Sequence, residues 1–193
     1  GQANVTIDGN TTLLDLPEGL HSIIVFANDT IGNMGNSTLV YFTIDAISPN
    51  IVILSPENKT YASTSVSLTF VIDEVTSWIG YSLNGQANVT ISGSTTLTGL
   101  PEGSNTLLVY ANDTAGNMGK SSTIYFAVDA TSPNIAILSP ENRTYTTNSV
   151  FLSFTIDEVA SWVGYSLDGE ANVTIGGNVT LEGLPDGAHS VVV

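Results

Sequence analysis

The sequence repeats itself every 84 residues, and this period constrains the fold more than any other feature. The segment Gln2–Ile7 returns unchanged at Gln86–Ile91 and, with glutamate in first place, at Glu170–Ile175. The stretch Leu16–Gly19 keeps the same register, because its counterparts begin at residues 100 and 184. A fixed repeat of this length indicates one folded unit used in series, which builds length and surface rather than a single catalytic pocket. The period therefore predicts an architectural protein.

A proline-containing run marks where one unit gives way to the next. Asp45–Asn50 recurs as Asp129–Asn134, each time between two stretches with the pattern of strands. Such runs are typical of domain boundaries. We expect residues 46–129 to form one complete unit, residues 1–45 to be the C-terminal part of a preceding unit, and residues 130–193 to be the N-terminal part of the next. On this interpretation the chain is a window on a longer array.

Alternating apolar and polar residues predict strands throughout the repeat. In Ser65–Ile72 one parity is wholly apolar, which is typical of a half-buried strand. The pairs Asn84-Gly85 and Asp168-Gly169 favour tight hairpins, since these residues tolerate positive φ. No stretch has helical periodicity, and the short strands indicate an antiparallel β-sandwich of the immunoglobulin (Ig) type. Seven strands are predicted in the complete unit: 51–54, 66–72, 78–83, 88–91, 95–100, 106–111 and 122–128.

Several motifs together resemble a known family. Trp78–Gly85, Leu100–Gly103, Ala111–Asn117 and Ser132–Ile135 are similar to segments of the Ig-like tandem repeats of archaeal and bacterial cell-surface proteins. The resemblance covers the whole chain and implies an all-β array of Ig-like sandwiches outside the cell. Repeats of this kind serve as spacers, adhesin stalks, and filament or envelope components, so the resemblance does not choose among these functions.

The composition excludes several classes of function. Eighteen acidic residues against three basic ones give a net charge of −15, and a chain with so few cations is not expected to bind nucleic acid or anionic lipid. There is no cysteine, so neither disulfides nor thiolate metal sites are available. The sequence has no apolar run of about 18 residues, and we expect no membrane span in it. The polar residues are mostly Ser, Thr and Asn, which favours an extracellular location.

Asn-x-Ser/Thr sequons are more frequent than the composition alone would produce. Several occupy equivalent places in successive repeats, and we expect N-glycosylation of at least some of them. The alternative is that Asn and Thr are common turn and strand residues copied with the repeat. The ten candidate sites are Asn4, Asn10, Asn28, Asn36, Asn58, Asn88, Asn112, Asn142, Asn172 and Asn178.

No catalytic constellation is expected, and no cofactor. The two histidines, His21 and His189, share one repeat position that holds Asn105 in the middle copy. A catalytic base would not be exchanged for asparagine between similar units, so a polar role in a turn is predicted.

A calcium site at the repeat junction is the strongest alternative to a chain without metal. Asp45 and Asp129 lie beside the junction, and Asp73, Asp113 and loop carbonyls could approach it. The junction lacks a dense acidic run, and we favour the interpretation that these side chains cap turns.

The outward parity of the last two strands is unusually apolar and defines a candidate interface. We interpret it as a surface for lateral or inter-unit packing, with sugar stacking and cover by the protein's own glycans as alternatives. The side chains assigned to it are Phe26, Tyr41, Trp78, Leu108, Tyr110, Tyr125 and Trp162. The two tryptophans join it if Ile79, Tyr81 and Leu83 form the inward parity of their strand, and the alternative is that this strand turns its tryptophan inward.

These observations predict a structural, non-enzymatic protein that builds a surface filament, sheath or stalk by end-to-end and lateral packing of Ig-like units. Its partners would be other copies of itself, neighbouring repeats or surface glycans. The alternatives are an adhesin or module that binds carbohydrate or protein, and a passive spacer within a larger surface protein.

Overall fold

The computed structural model describes residues 4–193 and consists of β-strands. The residues divide into two compact units, one running to Ala130 and the other from Thr131 to Val193. None of the described residues forms a helix, so no helix able to cross a membrane occurs among them. The predicted all-β, Ig-like fold class is confirmed.

The stretch before residue 46 contributes two pairs of antiparallel strands. The first pair is β1 (Gly19–Ile23) with β4 (Val40–Ile44), and the second is β2 (Phe26–Asn28) with β3 (Met34–Asn36). A turn joins β2 to β3, and it is held by the Asp29 carboxylate, which accepts hydrogen bonds from the backbone N–H groups of Ile31 and Asn33.

The strands between Ile51 and Val128 form a sandwich of two sheets. Its strands are β5 (Ile51–Ser55), β6 (Thr60–Tyr61), β7 (Val66–Ile72), β8 (Thr76–Leu83), β9 (Val89–Ile91), β10 (Thr95–Leu97), β11 (Gly103–Asp113), β12 (Met118–Lys120) and β13 (Ile124–Val128). One sheet has the order β10-β7-β5. The other has the order β6-β13-β11-β8-β9, and β12 also pairs with β11. The seven expected strands are all present, 66–72 with the predicted bounds and the other six with shifted ones, and β6 and β12 are short additions that the sequence pattern did not predict.

The core of this sandwich lies between the two sheets. Leu68 of β7 and Leu107 of β11 are each 0% exposed, and they come from facing sheets. Along β11 every second residue from Asn105 to Asp113 is buried, as alternation requires of a strand with one face on the core. Side chains from both sheets pack in this core, and no disulfide links the sheets, because the chain has no cysteine.

The tight turn after β8 has the backbone that its sequence predicts. Asn84 and Gly85 adopt φ values of 52° and 71°, and Asp168 and Gly169 repeat them at 51° and 78°. Two successive positive φ angles match a turn that follows the twist of a β-hairpin, and Asn-Gly and Asp-Gly are the pairs that adopt them most readily.

The second unit repeats the first part of this sandwich. Its strands are β14 (Ile135–Ser139), β15 (Val150–Ile156), β16 (Gly164–Leu167), β17 (Val173–Thr174), β18 (Val179–Leu181) and β19 (Val191–Val192), arranged as the sheets β14-β15-β18 and β17-β16-β19. Burial along β15 follows the same sequence of buried and exposed positions as along β7, and Leu152 is fully buried as Leu68 is.

Candidate interaction surface and repeat junction

The segment that leads into the complete repeat is fixed at three points. The Glu18 carboxylate accepts a hydrogen bond from the Ala46 N–H, at 3.1 and 3.2 Å to its two oxygens. The Asn117 side-chain amide donates to the Asp45 carbonyl at 3.0 Å. Gly119 lies directly against the Pro49 backbone. Residues 45–49 are therefore held against both the strands before them and the sandwich after them.

The first of these contacts recurs one repeat later. Glu102 accepts a hydrogen bond from the Ala130 N–H, at 3.3 and 3.1 Å to its two oxygens. Glu18 and Glu102 are the acidic residues of the Leu-Pro-Glu-Gly motif. The motif thus supplies the acceptor that orients the chain where one repeat ends.

Asp113 organises the turn between β11 and β12. Its Oδ1 accepts hydrogen bonds from the N–H groups of Gly116 and Asn117, at 2.6 and 2.8 Å, and its Oδ2 accepts one from the Asn117 side chain at 2.7 Å. Burial to 1% exposure would raise the pKa of Asp113, but these hydrogen bonds outweigh it and hold the pKa below its usual range. The carboxylate therefore acts as a turn cap, as the sequence predicts.

Three carboxylates meet beside this turn. Oxygen atoms of Asp45, Glu74 and Asp113 all lie within 4.8 Å of one another. Burial, followed by the negative charges of Asp113 and Asp45, raises the pKa of Glu74 above its usual value. Calcium takes six to eight oxygen ligands, whereas both Asp113 oxygens already accept hydrogen bonds from the turn. Turn geometry thus explains the Asp113 carboxylate, and Glu74 is the group that bears the electrostatic cost of the cluster.

Asp73, which the sequence placed among the candidate calcium ligands, has a different role. Its Oδ1 accepts a hydrogen bond from the Asn50 N–H at 2.9 Å, and Asp157 accepts one from Asn134 at 2.8 Å in the second unit. Each side chain therefore anchors the start of a first strand. Asp129 is not in the three-carboxylate cluster; its N–H donates to the Tyr61 carbonyl at 2.9 Å. Glu74, the residue after Asp73, is the member of the cluster from this bend, and Asp73 binds backbone as the favoured interpretation of these side chains expects.

The His/Asn position serves one purpose in all three copies. His21 Nε2, Asn105 Nδ2 and His189 Nε2 donate to the carbonyl of the proline four residues earlier, at 2.7, 2.9 and 2.8 Å. This arrangement fits the predicted polar role in a turn.

The side chain at the His/Asn position also contacts the first residue of the tight turn after β8 or β16. Asn84 Nδ2 donates to Asn105 Oδ1 at 2.8 Å, whereas His189 Nδ1 lies 2.7 Å from Asp168 Oδ2. Both His189 nitrogens lie within hydrogen-bond distance of acceptors, an arrangement that favours the doubly protonated ring. Accordingly, the Pro185 carbonyl and the Asp168 carboxylate raise the pKa of His189.

The residues assigned to the outer face divide into exposed and half-buried groups. Tyr41 is 64% exposed and Tyr125 is 61% exposed, at equivalent positions of β4 and β13, and Phe26 and Trp162 are also exposed. Leu108, Tyr110 and Trp78 are half-buried on the outer face of the larger sheet. Their inward neighbours Leu107, Val109 and Ala111 are fully buried, which places the two sets on opposite faces.

In both units the tryptophan ring covers the glycine two residues after it, on the outer face of the sheet. A Cβ built on Gly80 would fall 2.5 Å from Trp78 Cζ2, so the ring occupies the space above Gly80. Trp78 Nε1 donates to Thr90 Oγ1 at 3.0 Å, across the β8–β9 pair. This arrangement settles the direction of the tryptophan that the sequence left open, since Ile79 and Tyr81 pack against the core.

A second apolar surface was not singled out from the sequence. Val52, Leu54 and Val71 are exposed on the outer face of the three-stranded sheet of the complete repeat. The signal was present in Ile51–Leu54, where both parities are apolar.

The sequons differ in accessibility. Nine of the ten asparagines are exposed, and the exception is Asn112, which is half-buried opposite Trp78. The side-chain oxygen of Asn112 is buried and has no hydrogen-bond partner among the described residues.

Comparisons with known proteins agree with this fold. The profile of the family described as "Bacterial Ig-like domain (group 3)" matches residues 94–185. A 79-residue stretch is 37% identical to halomucin of Haloquadratum walsbyi, and the match covers 37% of this chain and 1% of halomucin.

Among solved structures, the fibronectin(III)-like modules of Clostridium thermocellum CbhA align with 16% identity, a TM-score of 0.37, and coverage of 73% of this chain and 82% of theirs. A structure of a 1.5-MDa bacterial ice-binding adhesin aligns with 16% identity, a TM-score of 0.38, and coverage of 86% and 63%.

The all-β fold and the family match at residues 94–185 define an Ig-like β-sandwich domain in this chain. The resemblance to the Ig-like repeat domains of archaeal and bacterial cell-surface proteins is confirmed by the family match and by the similarity to halomucin.

Proposed function

We propose that this chain is a structural, non-enzymatic part of an extracellular repeat protein, in which Ig-like units pack end to end and contact neighbours laterally to build a surface filament, sheath or stalk. The units proposed are residues 1–45, 46–129 and 130–193, the first and last being parts of repeats. The observation that carries this proposal is the fixed junction at residues 45–49.

The junction supports end-to-end packing because it limits the freedom of the linker. A flexible linker leaves its backbone to solvent, whereas here Glu18 and Asn117 bind the backbone of Ala46 and Asp45. Pro49 restricts the chain further and packs on Gly119. Units joined in this way transmit orientation from one to the next, as a filament or stalk requires.

The exposed tyrosines support lateral contact. Tyr41 and Tyr125 occupy the same place in successive repeats, so a stack presents them as a regularly spaced row. Exposed aromatic residues are enriched at protein interfaces, where they bury a large area at small cost in side-chain entropy. The low content of charged residues, 11% of the chain, also favours contact between copies.

Assembly of the purified chain tests this proposal. We expect concentration-dependent association in sedimentation velocity, and we expect the Tyr41→Ala/Tyr125→Ala double variant to lose it while its circular dichroism stays unchanged. Val52→Ala is the matched control, because Val52 is an exposed apolar residue on the outer face of the three-stranded sheet. Association that survives the double variant would contradict the lateral interface.

The alternative function, a binding module, has a distinct outcome in the same experiment. A chain that remains monomeric at all concentrations and binds a glycan array would favour an adhesin. The exposed ring of Trp162 is the observation that keeps this alternative open, since flat aromatic rings suit sugar faces.

A further inference from the structure

The tryptophan on the outer face is held in one orientation by its neighbours. The hydrogen bond from Trp78 Nε1 to Thr90 fixes the N–H edge of the indole, and the missing side chain at Gly80 leaves room for the neighbouring ring atoms Cζ2 and Cη2. The ring is half-buried, so it is supported from below and open above. This is a flat apolar platform on an otherwise polar strand pair.

The second unit builds the same platform from its own residues. Trp162 Nε1 donates to Thr174 Oγ1 at 3.1 Å, and a Cβ on Gly164 would lie 2.5 Å from Trp162 Cη2. Trp162 is 55% exposed. Two separately packed units therefore hold the ring through the same three residue types.

The threonine that holds each ring is also the last residue of a sequon. Thr90 completes Asn88-Val89-Thr90, and Thr174 completes Asn172-Val173-Thr174. Gly80 pairs directly with Thr90 across the two strands. Continuing the strand alternation by one residue places Asn88 on the face of Thr90, about 7 Å along the chain. Asn88 is exposed, and so the acceptor of a glycan lies beside the platform.

We propose that the indole ring of Trp78 is the stacking platform for the N-linked glycan of Asn88, and that Trp162 serves the glycan of Asn172 in the same way. This inference rests on the N-glycosylation that the sequons predict and on the extracellular location in the proposed function. The apolar C–H face of a pyranose covers the open face of the indole, so the glycan lies down along β8 and β9 rather than extending into solvent.

Because the glycan is covalently linked to Asn88, even a weak stacking contact is enough to keep the sugar on the Trp78 ring. A sugar linked to Asn88 is held near the ring, so its effective concentration there is high. The indole is already fixed by Thr90 and Gly80, so it loses little conformational freedom when the sugar contacts it. Asn112 also lies opposite Trp78, but its side chain is half-buried with a fully buried oxygen, which makes Asn88 the better source. The sequon threonine then has two roles, in glycan attachment and in aiming the ring.

Fluorescence quenching of a single tryptophan tests the contact. In a Trp162→Phe background Trp78 is the only indole, and the chain is produced in a glycosylating host with Asn88 occupancy established by glycopeptide mass spectrometry. We expect acrylamide to quench Trp78 less in the occupied protein than in Asn88→Gln. Loss of the exposed sequon at Asn58, through Asn58→Gln, should leave quenching unchanged. Equal quenching with and without the Asn88 glycan overturns the proposal.

A thermodynamic cycle shows whether the contact stabilises the fold. With Trp78 present, we expect the protein that carries the Asn88 glycan to have an unfolding equilibrium constant about two- to tenfold lower than Asn88→Gln. In the Trp78→Ala background we expect no such difference. Gly80→Ala keeps both ring and sequon but displaces the ring, and should abolish the protection from quenching. Protection that survives in Gly80→Ala, or a glycan effect that is equal in Trp78→Ala, overturns the proposal.

These outcomes are separate from those of the assembly experiment. Association through Tyr41 and Tyr125 is measured without reference to Asn88, and quenching of Trp78 is measured on the monomer at low concentration. Either result can therefore fail while the other holds.

Discussion

Gly119 offers the sharpest test of the fixed junction, because its repeat equivalent provides an internal control. An alanine Cβ at position 119 would lie 2.9 Å from the Pro49 carbonyl carbon, 3.2 Å from the Pro49 nitrogen, and closer still to the carbonyl oxygen. These are backbone atoms, which cannot rotate away as the end of a long side chain can. At the equivalent Gly35, the nearest atom to an added Cβ is the Ala27 carbonyl oxygen at 4.0 Å. Gly119→Ala must therefore displace the linker, whereas Gly35→Ala displaces nothing.

The expected magnitudes follow from this geometry. Neither glycine has a positive φ, so alanine is not strained at either place and in both it lowers the entropy of the unfolded chain, which stabilises by about 0.4–1 kcal/mol. Overpacking against a fixed neighbour costs about 1–3 kcal/mol. Since the entropic gain is common to both variants, their difference in unfolding free energy isolates the clash. We expect Gly119→Ala to be less stable than Gly35→Ala by about 1–3 kcal/mol.

Urea denaturation followed by circular dichroism measures this difference, and hydrogen exchange of residues 45–50 locates it. In Gly119→Ala the Ala46 amide, which donates to Glu18, should exchange faster than in the unaltered chain. In Gly35→Ala it should not. Equal stability of the two variants, with unchanged exchange at Ala46, would refute the reasoning that the linker is fixed against β12.

Three further predictions concern the core and the titrating groups. Leu107→Ala should lower the unfolding free energy by about 2–5 kcal/mol in urea denaturation, because Leu107 is fully buried, whereas Tyr125→Ala should change it by no more than about 0.5 kcal/mol. The raised pKa of His189 means that the folded state binds the histidine proton more tightly than the unfolded state does, which stabilises the fold. This stabilisation is complete below the ordinary histidine pKa of 6.5 and is lost as the pH rises through the pKa of the folded state. Melting temperatures measured against pH should show that loss, and those of the Asp168→Asn/His189→Asn double variant should not. The raised pKa of Glu74 means that its ionised form destabilises the fold above pH 4.5, so Glu74→Gln should raise the melting temperature at neutral pH, and an unchanged value would count against the electrostatic cost assigned to Glu74.

Much of the fold could be predicted from the sequence, because the relevant signals are local. Alternation in Ser65–Ile72 and the Asn84-Gly85 turn both depend on neighbouring residues, and both predictions agree with the structure. Strands β6 and β12 escaped prediction because neither has an alternating apolar pattern: the first is two residues long, and the second is Met-Gly-Lys.

The candidate sites were harder to predict because they depend on contacts between distant residues. Nothing in the sequence around Gly119 shows that Pro49 passes over it, and nothing near Glu74 shows that it joins Asp113. The direction of Trp78 was also ambiguous from its strand alone. Its ring is placed by Gly80 and Thr90, and only the pairing of β8 with β9 brings these two residues together.

The first residue of the tight turn is hydrogen-bonded to the His/Asn position, as Asn84–Asn105 and as Asp168–His189, and this pair has a consequence for how such arrays can evolve. Its two members lie 21 residues apart and differ together, as two amides in one copy and as a carboxylate with an imidazole in another. Unequal crossing-over between neighbouring gene segments, with a breakpoint inside those 21 residues, would pair a carboxylate with an amide or an amide with an imidazole, and either mixed pair loses the contact between carboxylate and imidazole. Recombination is therefore best tolerated outside this interval, and the two residues of each pair should be inherited together.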